Sequence, residues 1–292
     1  MGGCNLCPRG CGVDRETKVG VCGTSKKIKI AKVMLHMWEE PPISGKNGSG
    51  AIFFSGCPLK CVYCQNKEIS HGQNGKEITP RELADIMLGL QEKGAHNINL
   101  VTPTHFSDGI LKALKLIKSE LKIPVVYNTS GYEKPEEILK IADDVSVFLT
   151  DIKYFSSELS KKYSGASDYY KYAKASLEAM LKCQPRCEFD ENGIIKKGVI
   201  LRHLVLHSHR HDSIAILEDI ASSFDVSSFK LSLMSQYTPD FYEGDFKELT
   251  RRVTSFEYQS VLDHAISLGY DGYFQEKDSA NAKYTPNFNE KA

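Results

Sequence analysis

Residues 50–66 read "GAIFFSGCPLKCVYCQN", an apolar run followed by three cysteines, Cys57, Cys61 and Cys64. The run offers no polar face, which predicts a strand buried on both sides, as in a parallel sheet. "CPLKCVYCQN" is then the loop leaving the strand's C-terminal end. Three soft thiols spaced C-x3-C-x2-C suit zinc or an iron–sulfur cluster. A closed site wants four protein ligands, and "QNKEISHGQ" (65–73) holds no fourth cysteine. A returning histidine such as His71 would complete a zinc site. Three thiolates alone suggest a cluster with one iron open to a small molecule.

Composition narrows the classes around that loop. The chain has 292 residues, 41% hydrophobic and 25% charged, enough for one large α/β domain or two small ones. Lys plus Arg and Asp plus Glu number 37 each, which argues against a nucleic-acid partner. "MGGCNLCPRGCG" has no apolar signal-peptide core, and "MGGCNL" lacks the Ser or Thr of a myristoylation motif. No apolar run reaches the roughly 18 residues of a membrane span. The expectation is a cytoplasmic protein, away from membranes, with reduced cysteines.

Seven of the nine cysteines precede residue 65, where core packing would scatter them. Cys4, Cys7, Cys11 and Cys22 form C-x2-C-x3-C-x10-C, a second metal set of zinc or iron, and the spacing can close a tetrahedron. Zinc or a single-metal rubredoxin-like site is the favoured reading. A second [4Fe–4S] cluster and a mobile arm of reduced cysteines are the alternatives. Cys183 and Cys187, around Pro185, read as loop cysteines. "HLVLHSHRHD" (203–212) reads as a polar loop and helix start, and Trp38 in "VMLHMWEEPP" as packing in a linker.

Beyond the loop, strands and helices alternate. "ITPRELADIMLGLQEKG" (78–94) predicts a helix with Thr79 as N-cap, Pro80 at N1 and Gly94 closing it. Strands are expected at 98–102, 123–129, 145–153, 198–206 and 229–235, with helices between them, one of them long (156–182). Six strand–helix units from residue 50 predict an α/β fold, an incomplete (β/α)6 barrel open along one side. The expected division is a cysteine-rich segment with linker (1–48), the barrel (49–275) and a C-terminal tail (276–292). Chemistry in parallel barrels sits at the strands' C-terminal ends. Those ends carry Thr102, Thr104 and His105; Asn128 and Ser130; Asp151 and Lys153; Arg202; and Gln236.

The C-x3-C-x-aromatic-C pattern, with Tyr63 before the third cysteine, resembles the signature of the radical S-adenosylmethionine (SAM) enzymes. "CNLCPRGCGVDR…GVCG", "CVYCQN", "TPTHF", "YNTSGY", "DIKY", "RHLVL" and "MSQY" resemble a branch of homologues of pyruvate formate-lyase-activating enzyme, over roughly residues 4–275. The resemblance implies a radical SAM partial barrel whose three thiolates hold a [4Fe–4S] cluster, with SAM chelating the fourth iron. Reductive cleavage of SAM would yield a 5′-deoxyadenosyl radical that abstracts hydrogen from substrate, a radical SAM oxidoreductase activity. A one-electron donor such as flavodoxin or ferredoxin is the implied partner. A protein or peptide, including a glycyl radical enzyme, is a candidate substrate.

The same resemblance assigns residues. Asn128 and Ser130 match polar groups that hold the SAM ribose and carboxylate, and Tyr63, Thr102, Thr104, His105 and Gln236 join them as cofactor-binding candidates. "VTPTH" departs from the family's Gly-Gly-Glu motif, so strand-end carbonyls with Thr102 or Thr104 take over its work. Asp151-x-Lys153 matches the Asp-x-Lys of glycyl-radical activases, and Arg202 their basic residue on the same strand. These three are the catalytic candidates. The competing class is a non-catalytic iron–sulfur or zinc scaffold serving as a maturation partner.

Overall fold

The strand feeding the cysteine loop has a parallel neighbour on one side and an antiparallel one on the other. A computed structural model describes residues 3–72, 74–275, 286 and 288. The strands are β1 (Ile28–His36), β2 (Ser49–Phe54), β3 (Lys76–Ile78), β4 (Ile98–Val101), β5 (Val125–Thr129), β6 (Val147–Asp151), β7 (Glu188–Phe189), β8 (Ile195–Leu204), β9 (Lys230–Met234) and β10 (Gly272–Phe274). They lie in the order β10-β9-β8-β6-β5-β4-β2-β1-β3, with β7 paired antiparallel to β8. Every pairing from β2 through to β10 along that order is parallel. β1 runs antiparallel to β2, and β3 antiparallel to β1. The edges β3 and β10 do not pair with each other, so the barrel is incomplete, as expected.

The six expected parallel strands are β2, β4, β5, β6, β8 and β9, and β10 adds a short seventh. Two local expectations need correcting. Part of the stretch read as a linker is the strand β1, nine residues long. The single long helix over 156–182 is two helices, broken where Gly165 at φ 59° closes the first. The helices are α1 (Pro41–Ser44), α2 (Lys67–Ser70), α3 (Pro80–Glu92), α4 (Ser107–Leu116), α5 (Pro135–Ile141), α6 (Ser157–Ser164), α7 (Tyr169–Cys183), α8 (Arg210–Ser223) and α9 (Ser255–Ser267). α3 opens with a capping box: Thr79 Oγ1 accepts from the Glu82 amide at 3.2 Å, and Glu82 accepts from the Thr79 amide at 2.8 Å. Such a cap is worth about 1 kcal/mol.

Side chains alternate along each strand, so each strand builds two cores. Leu100, Tyr127, Phe148, Leu201 and Leu233 face the helices in the main core. Val126, Val147, Leu149, Ile195 and Ile200 face the lumen and surround Ile43 of α1. The register explains the plug. His36, the last residue of β1, pairs with Ser49, the first of β2. The intervening chain therefore crosses the barrel floor and drives Ile43, fully buried, up into it. Burying such a side chain is worth about 1.5–3 kcal/mol. Above the plug the inward positions turn polar: Asn128 follows Val126, Asp151 follows Leu149, and Arg202 follows Ile200.

Of the C-terminal tail, 276–285, 287 and 289–292 lie outside the described residues. Phe288 packs edge-on against Phe53, centroids 5.4 Å apart.

Candidate active site

The cysteine loop starts at Gly56, with φ 83°, where a Cβ would lie 2.6 Å from the Cys22 carbonyl oxygen. Only glycine fits such a left-handed, crowded position. The Cys57 amide donates to that same carbonyl at 3.1 Å, so the two cysteine groups abut through backbone. Burial pushes the Cys57 thiol up to about 12, and the neighbouring Cys61 and Cys64 add to the shift. Cys64 rises to about 11, first through burial and then through Cys61. The Ser164 hydroxyl donates to Cys61 Sγ at 3.1 Å.

Three neighbouring thiols, Cys61 buried and Cys57 and Cys64 partly so, would repel one another as thiolates and gain most from a soft electrophilic group that takes their protons' place. No three His, Cys, Asp or Glu side chains among the described residues are placed to hold a single metal ion. A [4Fe–4S] cluster asks for less convergence, because each thiolate binds a different iron. The triad fits that group. His71 does not return to the loop; its Nδ1 faces the Lys67 carbonyl at 2.9 Å. Tyr63 backs the loop, its ring edge-on to Tyr154, Tyr163 and Tyr237 at 6.3, 6.1 and 6.0 Å.

The N-terminal cysteines gather beside this loop. A Cβ on Gly20 would lie 3.3 Å from Cys22 Sγ and 3.5 Å from Cys11 Sγ, so glycine leaves those sulfurs room. Burial raises Cys7 to about 12, with Glu133, Cys22 and Cys4 contributing. Burial also acts to raise Cys11, but the Val21 and Val13 amides and the Cys4 thiol outweigh it and lower this thiol. Two arginines fasten the module. Arg9 donates to the carbonyls of Pro58 (2.8 Å), Leu59 (3.3 Å), Ser164 (2.6 Å) and Gly165. Arg15, buried, donates to the His105 carbonyl at 2.6 Å.

The strand-end residues divide into two groups. Thr102 holds φ 61°, an uncommon conformation for a β-branched residue, at the mouth end of β4. Thr104 donates to Glu133 at 2.5 Å, and Thr129 donates to the same oxygen. Burial pushes that carboxyl up to about 7, with the two hydroxyls offsetting part of the shift. His105 is buried with Nε2 2.8 Å from the Ser55 carbonyl, and burial pushes its ring down to about 3, so it is neutral. Thr104 and His105 are thus engaged with the wall. The Ser130 carbonyl accepts from Tyr169 at 2.7 Å.

Asn128, Asp151, Lys153 and Arg202 come together in the lumen. Arg202 donates Nε to Asp151 Oδ1 at 2.7 Å and Nη2 to Asn128 Oδ1 at 2.7 Å. Lys153 Nζ takes the other Asp151 oxygen at 2.6 Å. Burial would raise Asp151, but Arg202 and Lys153 overcome it and hold the carboxyl below its ordinary value. Two further carboxylates, which the sequence reading missed, enter from the floor crossing. Glu39 Oε2 accepts from Arg202 at 3.3 Å, and Glu40 Oε1 lies 3.9 Å from the same guanidinium. Glu39 Oε1 accepts from Asn99 at 3.0 Å and Asn128 at 3.3 Å. "WEEPP" gives no local sign of this, since an acidic pair before prolines is usually solvated.

A cavity of about 350 Å³ opens above these groups, lined among others by Asn66, Asn128, Arg202 and Gln236. Gln236 Oε1 accepts from Gln275 at 3.0 Å. Trp38, read as packing, is 61% exposed and lines this cavity, because the floor crossing carries it outside the core. Cys183 ends α7, and Cys187 Sγ donates to the Val199 carbonyl at 3.4 Å, far along the chain from the triad. His207 pairs with Glu257 at 3.0 Å and His209 with Tyr163 at 2.8 Å.

Known proteins agree with this arrangement. Residues 51–189 match the Radical SAM superfamily. An uncharacterized protein of Methanocaldococcus jannaschii is 30% identical over 277 residues, 92% of this chain and 75% of that protein. Pyruvate formate-lyase-activating enzyme of Clostridium pasteurianum is 33% identical over 133 residues, 42% of this chain and 53% of the enzyme. A radical SAM methyltransferase from Sphaerobacter thermophilus superposes with a TM-score of 0.53 at 14% identity, covering 78% of this chain and 66% of that one. Native anSMEcpe with bound AdoMet gives 0.50 at 14% identity, covering 75% and 61%. These two likenesses speak to the fold alone. No described helix is long and apolar enough to cross a membrane. With the thiol triad leaving β2 and the open parallel barrel around it, the chain belongs to the radical SAM superfamily.

Proposed function

We propose that this chain is a radical SAM oxidoreductase that abstracts hydrogen from a substrate held in the lumen cavity. Cys57, Cys61 and Cys64 would hold the [4Fe–4S] cluster, and Thr102, Asn128, Ser130 and Gln236 would meet the polar groups of SAM. When bound, cluster and SAM supply one-electron cleavage of the sulfonium and a 5′-deoxyadenosyl radical. The observation carrying this reading is that the thiol triad and the Asp151–Lys153–Arg202 network lie at the same, C-terminal ends of the parallel strands. Lys153 joins them, since its ammonium is paired with Asp151 and lies in the field of Cys61. Asp151 keeps Arg202 oriented, and the plugged floor keeps bulk water from entering below.

The N-terminal four are not drawn around one ion's position among the described residues, so holding zinc or a second iron site would require them to converge; a flavodoxin or ferredoxin would deliver the electron in the cytoplasm. A cavity of about 350 Å³ has the size of a small-molecule site. Similarity to a pyruvate formate-lyase-activating enzyme favours a second reading, in which a glycyl radical enzyme's loop is the substrate. The test is anaerobic reconstitution with iron and sulfide, followed by dithionite and SAM. Formation of 5′-deoxyadenosine and methionine is expected. Intact SAM with a full cluster would instead make the chain a scaffold.

A further inference from the structure

The lumen cavity contains more buried polar groups than the described residues satisfy. Glu39 uses both oxygens on Asn99, Asn128 and Arg202. Glu40 does not: the residue is only 8% exposed, and its Oε2 is buried with no partner among the described residues. Asn66 Oδ1 is likewise buried without a partner among the described residues, and so is Nδ1 of His36, a residue 7% exposed. All three residues line the same cavity.

The charges lean the same way. Glu39, Glu40 and Asp151 face Arg202 and Lys153, three carboxylates against two cations. Arg202 is nearest to Asp151 and only 3.9 Å from Glu40, so Glu40 has the weakest share of it. Burial raises the Glu40 carboxyl, and Glu39 adds to the rise against the pull of Arg202. An unpaired buried carboxylate oxygen costs free energy unless a ligand completes it.

We propose that the substrate carries a cationic nitrogen, an ammonium or guanidinium, which Glu40 binds in the lumen cavity with Asn66 and His36 as further hydrogen-bond partners. This rests on the lumen being the substrate site. The ammonium donates to Glu40 Oε2 and Asn66 Oδ1, and neutral His36 turns the tautomer that the ligand requires. Arg202 stays with Asp151 and Asn128. It repels a cation less than Glu40 attracts it, because its charge is already matched. The nitrogen comes from a free small amine or from a lysine or arginine side chain.

The experiment is calorimetry on the reconstituted protein saturated with SAM, so that SAM's own amine does not compete. The probes are 1,4-diaminobutane, 1,4-butanediol, succinate and acetyl-Gly-Lys-Gly-amide. The diamine or the peptide should bind at least about tenfold more tightly than the diol and succinate, and either ranking of those two supports the proposal. Glu40→Gln should weaken the amine probe by about 10- to 150-fold, the loss of a hydrogen bond to a charged group. Failure of both the diamine and the peptide to outbind the diol, preference for succinate, displacement of SAM by the amine, or an unaffected Glu40→Gln would each overturn it. Should Glu40→Gln unfold, the ranking on the wild-type protein decides. SAM cleavage measured in the same preparation separates the two readings. Cleavage without amine preference removes only this inference, and amine preference without cleavage removes only the radical reaction.

Discussion

Cys57, Cys61 and Cys64 are not interchangeable with their surroundings. Each provides a sulfur that no neighbouring residue can replace, since His71 is turned to the Lys67 carbonyl. Replacing any one with Ala should abolish both the cluster's visible absorbance and SAM cleavage. Retained cleavage in any single variant would contradict the ligand set. Glu133 offers a pH readout. Its folded value of about 7 stands above the ordinary 4.5, so its protonated form is the one the fold prefers. The stability this provides is present below pH 4.5 and lost as pH rises through 7, about 3 kcal/mol over that window. Thermal melts should show Glu133→Gln lacking that decline, whereas parallel pH curves for both proteins would refute it. Arg202 is the third test at this scale. Arg202→Met leaves Asp151 and Glu39 buried without their guanidinium and should destabilise by about 3–5 kcal/mol in denaturant titration. An unchanged midpoint would mean the network contributes little.

Among the elements, those that announce themselves by local pattern were legible in the sequence. The parallel strands are nearly all apolar because both faces are covered, and α3 carries its capping box in "TPRE". β1 was not legible. "IKIAKVMLH" mixes lysines with apolar residues, as an antiparallel outer strand with one partly exposed face does, and it resembles a linker. The α6–α7 break was signalled by Gly165 but masked by helical residues on both sides. The thiol triad was readable because its spacing is local. Glu39 and Glu40 were not, because their burial depends on Arg202, 163 residues from Glu39. The N-terminal module holds the barrel through Arg9 and through the Cys22 carbonyl, contacts that need no triad side chain. A Cys57/Cys61/Cys64 triple variant should therefore keep one stoichiometric metal, zinc or iron, in elemental analysis. Loss of all metal would return Cys4, Cys7, Cys11 and Cys22 to ordinary reduced cysteines.

Across the whole molecule, one continuous sheet carries two functions on two faces. Its outer face is an apolar core under the helices, and its inner face is a plug below and a charged chamber above. The floor crossing after β1 makes this possible, by sealing one end of the lumen and delivering two carboxylates into it. The cysteine loop leaves β2 at the other end, and Gln65 and Asn66, just past Cys64, line the cavity together with Arg202. The central claim is that this end holds a cluster with an iron open to SAM. Electron paramagnetic resonance of the anaerobically reconstituted, dithionite-reduced protein tests it most directly. Adding SAM should change the cluster's spectrum, because SAM's amino and carboxylate groups become ligands. An identical spectrum with and without SAM, on a protein with full cluster content, would contradict the account.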